Sequence, residues 1–253
     1  MKKTMYRLVL MMVAAVALLV LSAPVYASKM DSRIESSAKK TYVFKTYLHA
    51  DDIKIQSKNG DVSLTGTVSE ESHKSLAQET VANLPGVKSV DNMLEVKGES
   101  PAEMSDAWVM MKVKTTLWFH RSVNGFKTEV NDVKDGIVTL TGEATSQAQK
   151  DLTTEYAKDV EGVKDVKNEM TVAVAKTSRT VGQNIDDASI TAQVKMMLLY
   201  HRSTSALNTS VTTKKGVVTL VGKASNAAEL KMATKLTNDV NGVKGVKNKM
   251  IIE

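Results

Sequence analysis

The stretch Asn59-Gly-Asp-Val-Ser-Leu-Thr-Gly66 returns as Asp135-Gly-Ile-Val-Thr-Leu-Thr-Gly142 and again as Lys215-Gly-Val-Val-Thr-Leu-Val-Gly222. A third glycine follows each pair, Gly86, Gly162 and Gly242, so the gaps are 6 and then 20 in all three sets. An asparagine stands 6 residues beyond the last glycine every time: Asn92, Asn168 and Asn248. A spacing this strict marks one structural unit present in three copies. The repeated stretch is a turn signal followed by an alternating, β-branched run, which predicts a strand leaving a hairpin turn. Short alternating runs upstream supply the other arm: Ile53 and Ile55, Thr128 and Val130, Thr209 and Val211. The turn glycine is expected to take a positive φ.

Beyond the second glycine the apolar period lengthens from two to nearly four. Leu76, Thr80 and Leu84 fall on one helical face, as do Leu152, Tyr156 and Val160, and Met232, Leu236 and Val240. Ser69, Thr145 with Ser146, and Ser225 suit the N-caps of these helices, and the third glycine suits their C-terminal cap. Val87, Val163 and Val243 then lead into a last strand. Another amphipathic helix precedes each hairpin, with inward positions Ile34, Ala38 and Tyr42; Val109, Val113 and Leu117; Ile190, Val194 and Leu198. The order in each unit is α-β-β-α-β. A strand-helix-strand passage implies a right-handed parallel crossover. The fold class is therefore α+β: three tandem small modules, each a three-stranded mixed sheet with two helices on one face. The modules are assigned to residues 30–97, 103–173 and 184–253, separated at Lys97–Ala102 and Lys176–Asn184. Units of about 70 residues lie near the lower limit for folding alone, so docking between modules is expected.

The Val-x-Leu-x-Gly strand and the Gly-Val-x-x-Val-x-Asn-x-(Leu/Met) tail, in this element order, resemble the BON domain (bacterial OsmY and nodulation) family. The resemblance spans three copies. It implies a protein of the Gram-negative periplasm, associated with the envelope, with phospholipid surfaces and with osmotic or envelope stress. It implies no catalytic residue.

Compartment is legible independently. Lys2, Lys3 and Arg7 precede an apolar run from Leu8 to Leu21, and Val25-Tyr26-Ala27 places small residues at −3 and −1. Residues 1–27 are read as a secretory signal peptide, and no transmembrane span is expected once it is cleaved. The chain has no Cys, which excludes disulfides and thiolate metal sites and suits an oxidising compartment. Loss of the three leader cations takes the formal net charge from +6 to +3. That is too mild an excess for a nucleic-acid partner, while a local basic face can still meet anionic headgroups. Lys244, Lys247 and Lys249 make the last strand the most basic part, and a solvated face accounts for them.

His49, His73, His120 and His201 have no metal-ligand spacing, and neither a metal nor a cofactor is expected. His120 and His201 occupy equivalent places, which reads as a cation at a helix C-terminus. The run Gly216 to Ser225 has five residues between glycines and Ala224 after Lys223, so it is no phosphate loop. Asn208-Thr-Ser210 matches a glycosylation sequon, which has no weight in the bacterial setting that the resemblance implies. An enzyme is not expected.

One helix is too apolar for a single buried face. Beside the stripe of Val109, Val113 and Leu117 run Trp108, Met111 and Trp118, extended by Phe119 and accompanied by Lys112, Lys114 and Arg121. Such a helix packs on another module or meets a membrane interface, where Trp and snorkelling Lys are favourable. Trp108, Met111, Lys112, Trp118, Phe119 and Arg121 are the candidate surface for anionic phospholipid or an envelope protein. Met196, Met197, Leu199 and Tyr200 are a milder version in the third module. The functional expectation is a non-enzymatic envelope or stress protein, with a periplasmic chaperone or scaffold as the alternative.

Overall fold

A computed structural model describes residues 29–173, 184–204 and 209–253. The expected signal peptide, residues 176–183 of the expected second linker, and Asn208 lie outside the described residues. The first module contains α1 (residues 29–40), α2 (Tyr42–Thr46), β1 (Asp52–Lys58), β2 (Asp61–Val68), α3 (Glu71–Ala82) and β3 (Ser89–Val96). The second has α4 (Asp106–Phe119), β4 (Thr128–Lys134), β5 (Ile137–Ala144), α5 (Gln147–Lys158), β6 (Asp165–Asn168) and β7 (Thr171–Val172). The third repeats it with α6 (Asp187–Tyr200), β8 (Thr209–Lys214), β9 (Val217–Ala224), α7 (Ala227–Asn238), β10 (Gly245–Asn248) and β11 (Ile251–Ile252).

In every module the central strand pairs antiparallel with the strand before it and parallel with the last one. The register is common to all three: Leu64 pairs with Asn92, Leu140 with Asn168, Leu220 with Asn248. The last strand runs unbroken in the first module and in two pieces in the others, β6–β7 and β10–β11, giving four-stranded sheets there. One sheet face is buried under the helices, with Val62, Leu64 and Val68, then Val138, Leu140 and Ala144, then Val218, Leu220 and Ala224 pointing into it.

The hairpin turns explain the first glycines. Two successive residues take positive φ in each: Asn59 (57°) and Gly60 (89°), Asp135 (52°) and Gly136 (80°), Lys215 (54°) and Gly216 (80°). This is the turn whose twist matches the strands it joins. Its two N–H groups donate to one carboxylate from the first helix: Asn59 and Gly60 to Asp31 (2.8 and 3.0 Å), Asp135 and Gly136 to Asp106 (both 2.9 Å), Lys215 and Gly216 to Asp187 (2.7 and 2.8 Å). The Ser57 hydroxyl first, then the two turn amides, hold the Asp31 carboxyl below its ordinary pKa against the opposing effect of burial. The second glycine is a point of close approach. At Gly66 (φ +115°) a Cβ would collide with the Asp52 carbonyl oxygen, and at Gly142 (φ +110°) with that of Lys127.

The repeated asparagine is a staple. Asn168 Nδ2 donates to Lys150 O (2.9 Å) and Thr154 Oγ1 (2.8 Å) on α5, while its Oδ1 accepts from Met170 N (3.0 Å). Asn248 does the same with Leu230, Thr234 and Met250, and Asn92 with Lys74, Gln78 and Leu94. The last strand is thereby tied to the second helix.

Three local expectations are corrected. The expected positions Leu76, Thr80, Leu84, Val160, Leu236 and Val240 are buried, and a line one position later is buried with them, Ala77 and Val81, Thr153 and Ala157, Ala233 and Thr237; Leu152 alone of the expected positions is exposed. Small side chains on that line let the helix come close to the sheet. Ser146 caps α5, but α7 is capped by Asn226 and α3 begins at Glu70 with no side-chain cap. Gly86, Gly162 and Gly242 lie in the turn after the helix, since α3 already ends at Ala82.

The helices of the modules turn toward one another. Modules one and three share a continuous core through α3 and α6, and Phe119 from module two enters it. Module two keeps a smaller core around Val113, Leu117, Val138 and Leu140. In module one the first helix breaks at Thr41, and Val43 faces inward where Tyr42 was expected. The new N-terminus is satisfied from module three: Tyr42 N donates to Asp186 Oδ2 (2.7 Å) and Val43 N to Ser189 Oγ (3.1 Å).

Candidate functional site

Helix α4 starts at Ser105, whose hydroxyl accepts from Trp108 N (3.3 Å), and it is apolar on several sides because several neighbours surround it. Met111, Lys112 and Phe119 are 8, 5 and 0 % exposed, so module packing covers them. Lys112 Nζ lies 3.5 Å from the Trp108 ring centroid and 5.1 Å from that of Tyr200, and it donates to Glu161 Oε2 at 2.9 Å. Lys114 reaches Glu70 of module one at 2.8 Å. Trp108 and Trp118 are half-buried. The Trp118 ring stacks on Tyr47 of module one (5.7 Å, 14° between planes), and Phe126 stacks on Tyr47 in turn (5.9 Å, 9°). Phe126 remains 60 % exposed, which leaves an aromatic ledge at the seam of modules one and two. Tyr47 and Phe126 were missed from sequence because their relation to Trp118 exists only once modules dock. The related run in module three is spent similarly: Met196, Met197 and Tyr200 are buried and Leu199 is exposed.

Arg121 lies outside this ledge, in a reciprocal contact between modules two and three. His120 bridges antiparallel to Val240, and His201 bridges antiparallel to Val160. Arg121 N donates to Asp239 O (2.9 Å) and Arg202 N to Asp159 O (3.1 Å); Asn241 N donates to Phe119 O (2.9 Å) and Glu161 N to Tyr200 O (3.0 Å). The Arg121 guanidinium reaches Val240 O (3.0 Å) and Val243 O (2.6 Å); that of Arg202 reaches Val160 O (3.3 Å), Val163 O (3.0 Å) and Lys158 O. Each module thus inserts its His-Arg pair behind the second helix of the other, an approximate two-fold arrangement.

This corrects the reading of the histidines as helix-end cations. His120 is 1 % exposed, its ring lies 3.3 Å from that of Tyr156, and neither ring nitrogen has a hydrogen-bond partner among the described residues. Burial first, then the charges of Arg121 and Lys235, push its pKa down to about 3, so it is neutral. Burial also lowers that of His201, opposed by Asp159 at 3.8 Å. The cations near helix C-termini are instead Arg121 and Arg202, acting across the contact.

Elsewhere, His73 pairs with Asp51 at 2.6 Å inside module one and lies 6.0 Å from the Trp118 ring. Among the described residues no three His, Asp or Glu converge to hold a metal ion, and no helix is long and apolar enough to cross a membrane. A cleft between modules one and two has Met110 and Met111 on one side and Glu70, Glu99 and Lys97 on its rim. The arrangement offers faces and ledges for contact and converges on no reacting centre among the described residues.

The BON domain family model matches residues 30–98, 105–174 and 186–253, nearly all of the described chain. The chain belongs to the BON domain family. Osmotically-inducible protein Y of Escherichia coli is 34 % identical over 145 residues, 57 % of this chain and 71 % of that protein. That alignment has the length of about two BON modules. A protein of Anaplasma centrale is 31 % identical over 143 residues, 56 % of this chain and 91 % of its own. Outer membrane lipoprotein DolP of Haemophilus influenzae is 30 % identical over 112 residues, 44 % of this chain and 56 % of that protein.

Proposed function

We propose that this chain is a non-enzymatic protein of the Gram-negative envelope, exported to the periplasm, whose BON modules bind phospholipid surfaces or proteins held at them during osmotic or envelope stress. The observation that carries the reading is the inward convergence of the helices, which leaves the outer sheet faces and the Trp118–Phe126 ledge as the contact surface. The printed names of the relatives, one osmotically inducible and one an outer membrane lipoprotein, support the compartment and the stress setting. Of the residues singled out on α4, Trp118 and Trp108 retain exposed surface, and the ledge takes Phe126 in place of Phe119. An aromatic ring with one open edge suits an interface. Flotation of the exported protein with vesicles tests this: binding to anionic vesicles above neutral ones is expected. Equal absence of binding to both removes the lipid version.

A second reading, a chaperone or scaffold for protein clients, is favoured by the open sheet edges. Among the described residues strand β3 pairs with β2 along all its length and with no other strand, so its other edge, apart from Leu94 N, which donates to Asn92 Oδ1, is open to an extended client segment. Suppressed aggregation of a model client, without vesicle binding, would select it.

A further inference from the structure

The three modules serve as one another's control, because identical backbone positions carry different side chains. On the outward face of the sheet in module three stand Val221 and Lys223 on β9, Lys247 and Lys249 on the last strand, and Ile251 beyond them. The central-strand glycines and the common strand register place Thr65, Thr67, Asp91, Met93 and Glu95 at these positions in module one. In module two they are Thr141, Glu143, Lys167, Glu169 and Thr171. The same patch therefore carries three cations and two exposed aliphatic side chains in module three, and a net negative charge in the other two. Val221 and Ile251 are 48 and 60 % exposed. Lys214 continues the face on β8 and Lys244 stands at the hairpin end, as Lys58 and Lys88 do in module one and Lys134 and Lys164 in module two, while Lys215 in the turn is a lysine in module three alone. The single acid of the face is Glu253, paired with Lys223.

We propose that this outward face of the module three sheet docks on an anionic phospholipid bilayer, through Lys214, Lys223, Lys247 and Lys249 with Val221 and Ile251 pressed into the headgroup region. The proposal rests on the envelope reading above and names the surface and the lipid class. Charge complementarity selects an anionic surface, since lysines near such a membrane attract it additively. The two aliphatic side chains select a bilayer over a free polyanion, because only a bilayer offers apolar matter beneath its phosphates. Among the described residues no element of modules one or two covers this face: the helices that pack on the sheet lie on its other side, where Val218, Leu220 and Met250 are buried.

The test uses exported protein and vesicles of phosphatidylcholine with and without about one third phosphatidylglycerol, at low and physiological salt. Each lysine near the surface contributes about fivefold, so K223Q/K247Q/K249Q together are expected to weaken binding to anionic vesicles on the order of a hundredfold. V221S/I251S should weaken vesicle binding and leave binding to heparin unchanged. Circular dichroism and melting checks that both variants, all of whose changes lie on an exposed face, remain folded. Wild-type binding to anionic vesicles that the triple variant retains overturns the proposal and leaves the envelope reading standing, with W118A/F126A next to be measured. If the wild type binds neither vesicle, the proposal and the lipid version of the envelope reading fail together. If heparin competes fully and V221S/I251S has no effect on vesicles, the face is a polyanion site and the bilayer assignment is wrong.

Discussion

Replacing His120 by phenylalanine removes a titrating ring from a place that holds only its neutral form, and the consequence is a change in how stability depends on pH. The imidazole is buried against Tyr156, with a folded-state pKa of about 3 set against an ordinary value of 6.5. Above pH 6.5 the ring is neutral in both folded and unfolded chains and costs nothing by titration. As the pH falls below 6.5 the unfolded chain takes up the proton and the folded one does not, so stability declines, continuing down to about pH 3. At pH 5 the proton-binding ratio is about 30, equivalent to about 2 kcal/mol. Urea unfolding followed by tryptophan fluorescence reports on this contact, because Trp108 and Trp118 are both on α4, which ends at His120. Between pH 7.5 and pH 5 the wild type should lose about 2 kcal/mol more than H120F. At pH 7.5 the variant should be no less stable, because both imidazole nitrogens lack partners among the described residues and phenylalanine has none to satisfy. Equal losses in the two proteins would refute the assignment of a buried neutral histidine at this contact.

Three further outcomes follow from the packing. Gly142→Ala places a Cβ against the Lys127 carbonyl at a positive φ, and should cost at least about 2 kcal/mol in denaturant melts, whereas Gly245→Ala, where the φ is ordinary and a Cβ meets no neighbour within 4 Å, should cost far less. Asn248→Ala removes the bonds to Leu230 and Thr234 and the acceptor for Met250 N; a loss of about 1–3 kcal/mol is expected, with faster amide exchange at Met250. Arg121→Ala and Arg202→Ala should each loosen the joint between modules two and three by about 1–3 kcal/mol, with a double variant that falls short of additivity. Additive losses would show that the two halves of the joint act independently.

The hairpins and the order of elements were legible because the glycines answer to local backbone geometry, a turn at Gly60 and a close approach at Gly66, and such demands repeat wherever the unit does. The aspartates that receive the hairpin amides repeat too, yet their distance to the turn glycine is 29, 30 and 29 residues. The odd residue is absorbed by a bulge in β4 between Val130 and Asp132, which hides the pattern from an ungapped comparison. Leu152 was placed inward by its apolarity, but the close helix–sheet contact prefers the small Thr153 and Ala157 beside it. The role of the His-Arg pair was out of reach for a different reason. The equivalence of His120 and His201 is visible in one dimension, but the carbonyls they serve belong to the opposite module, and nothing local encodes that exchange.

The reciprocal joint also bears on how many modules one body can hold. A contact in which two surfaces each engage the other is saturated once made, whereas a head-to-tail contact leaves a free surface at each end and propagates. Modules two and three use up their His-Arg segments on one another. Module one, with Lys45-Thr46-Tyr47 in that region, docks differently, through the Tyr47 hydroxyl on Trp118 O (3.2 Å) and through Asp186 at the broken helix. Growth by addition of further copies is therefore blocked at this joint. A fourth module, or a second chain, would have to attach by another route.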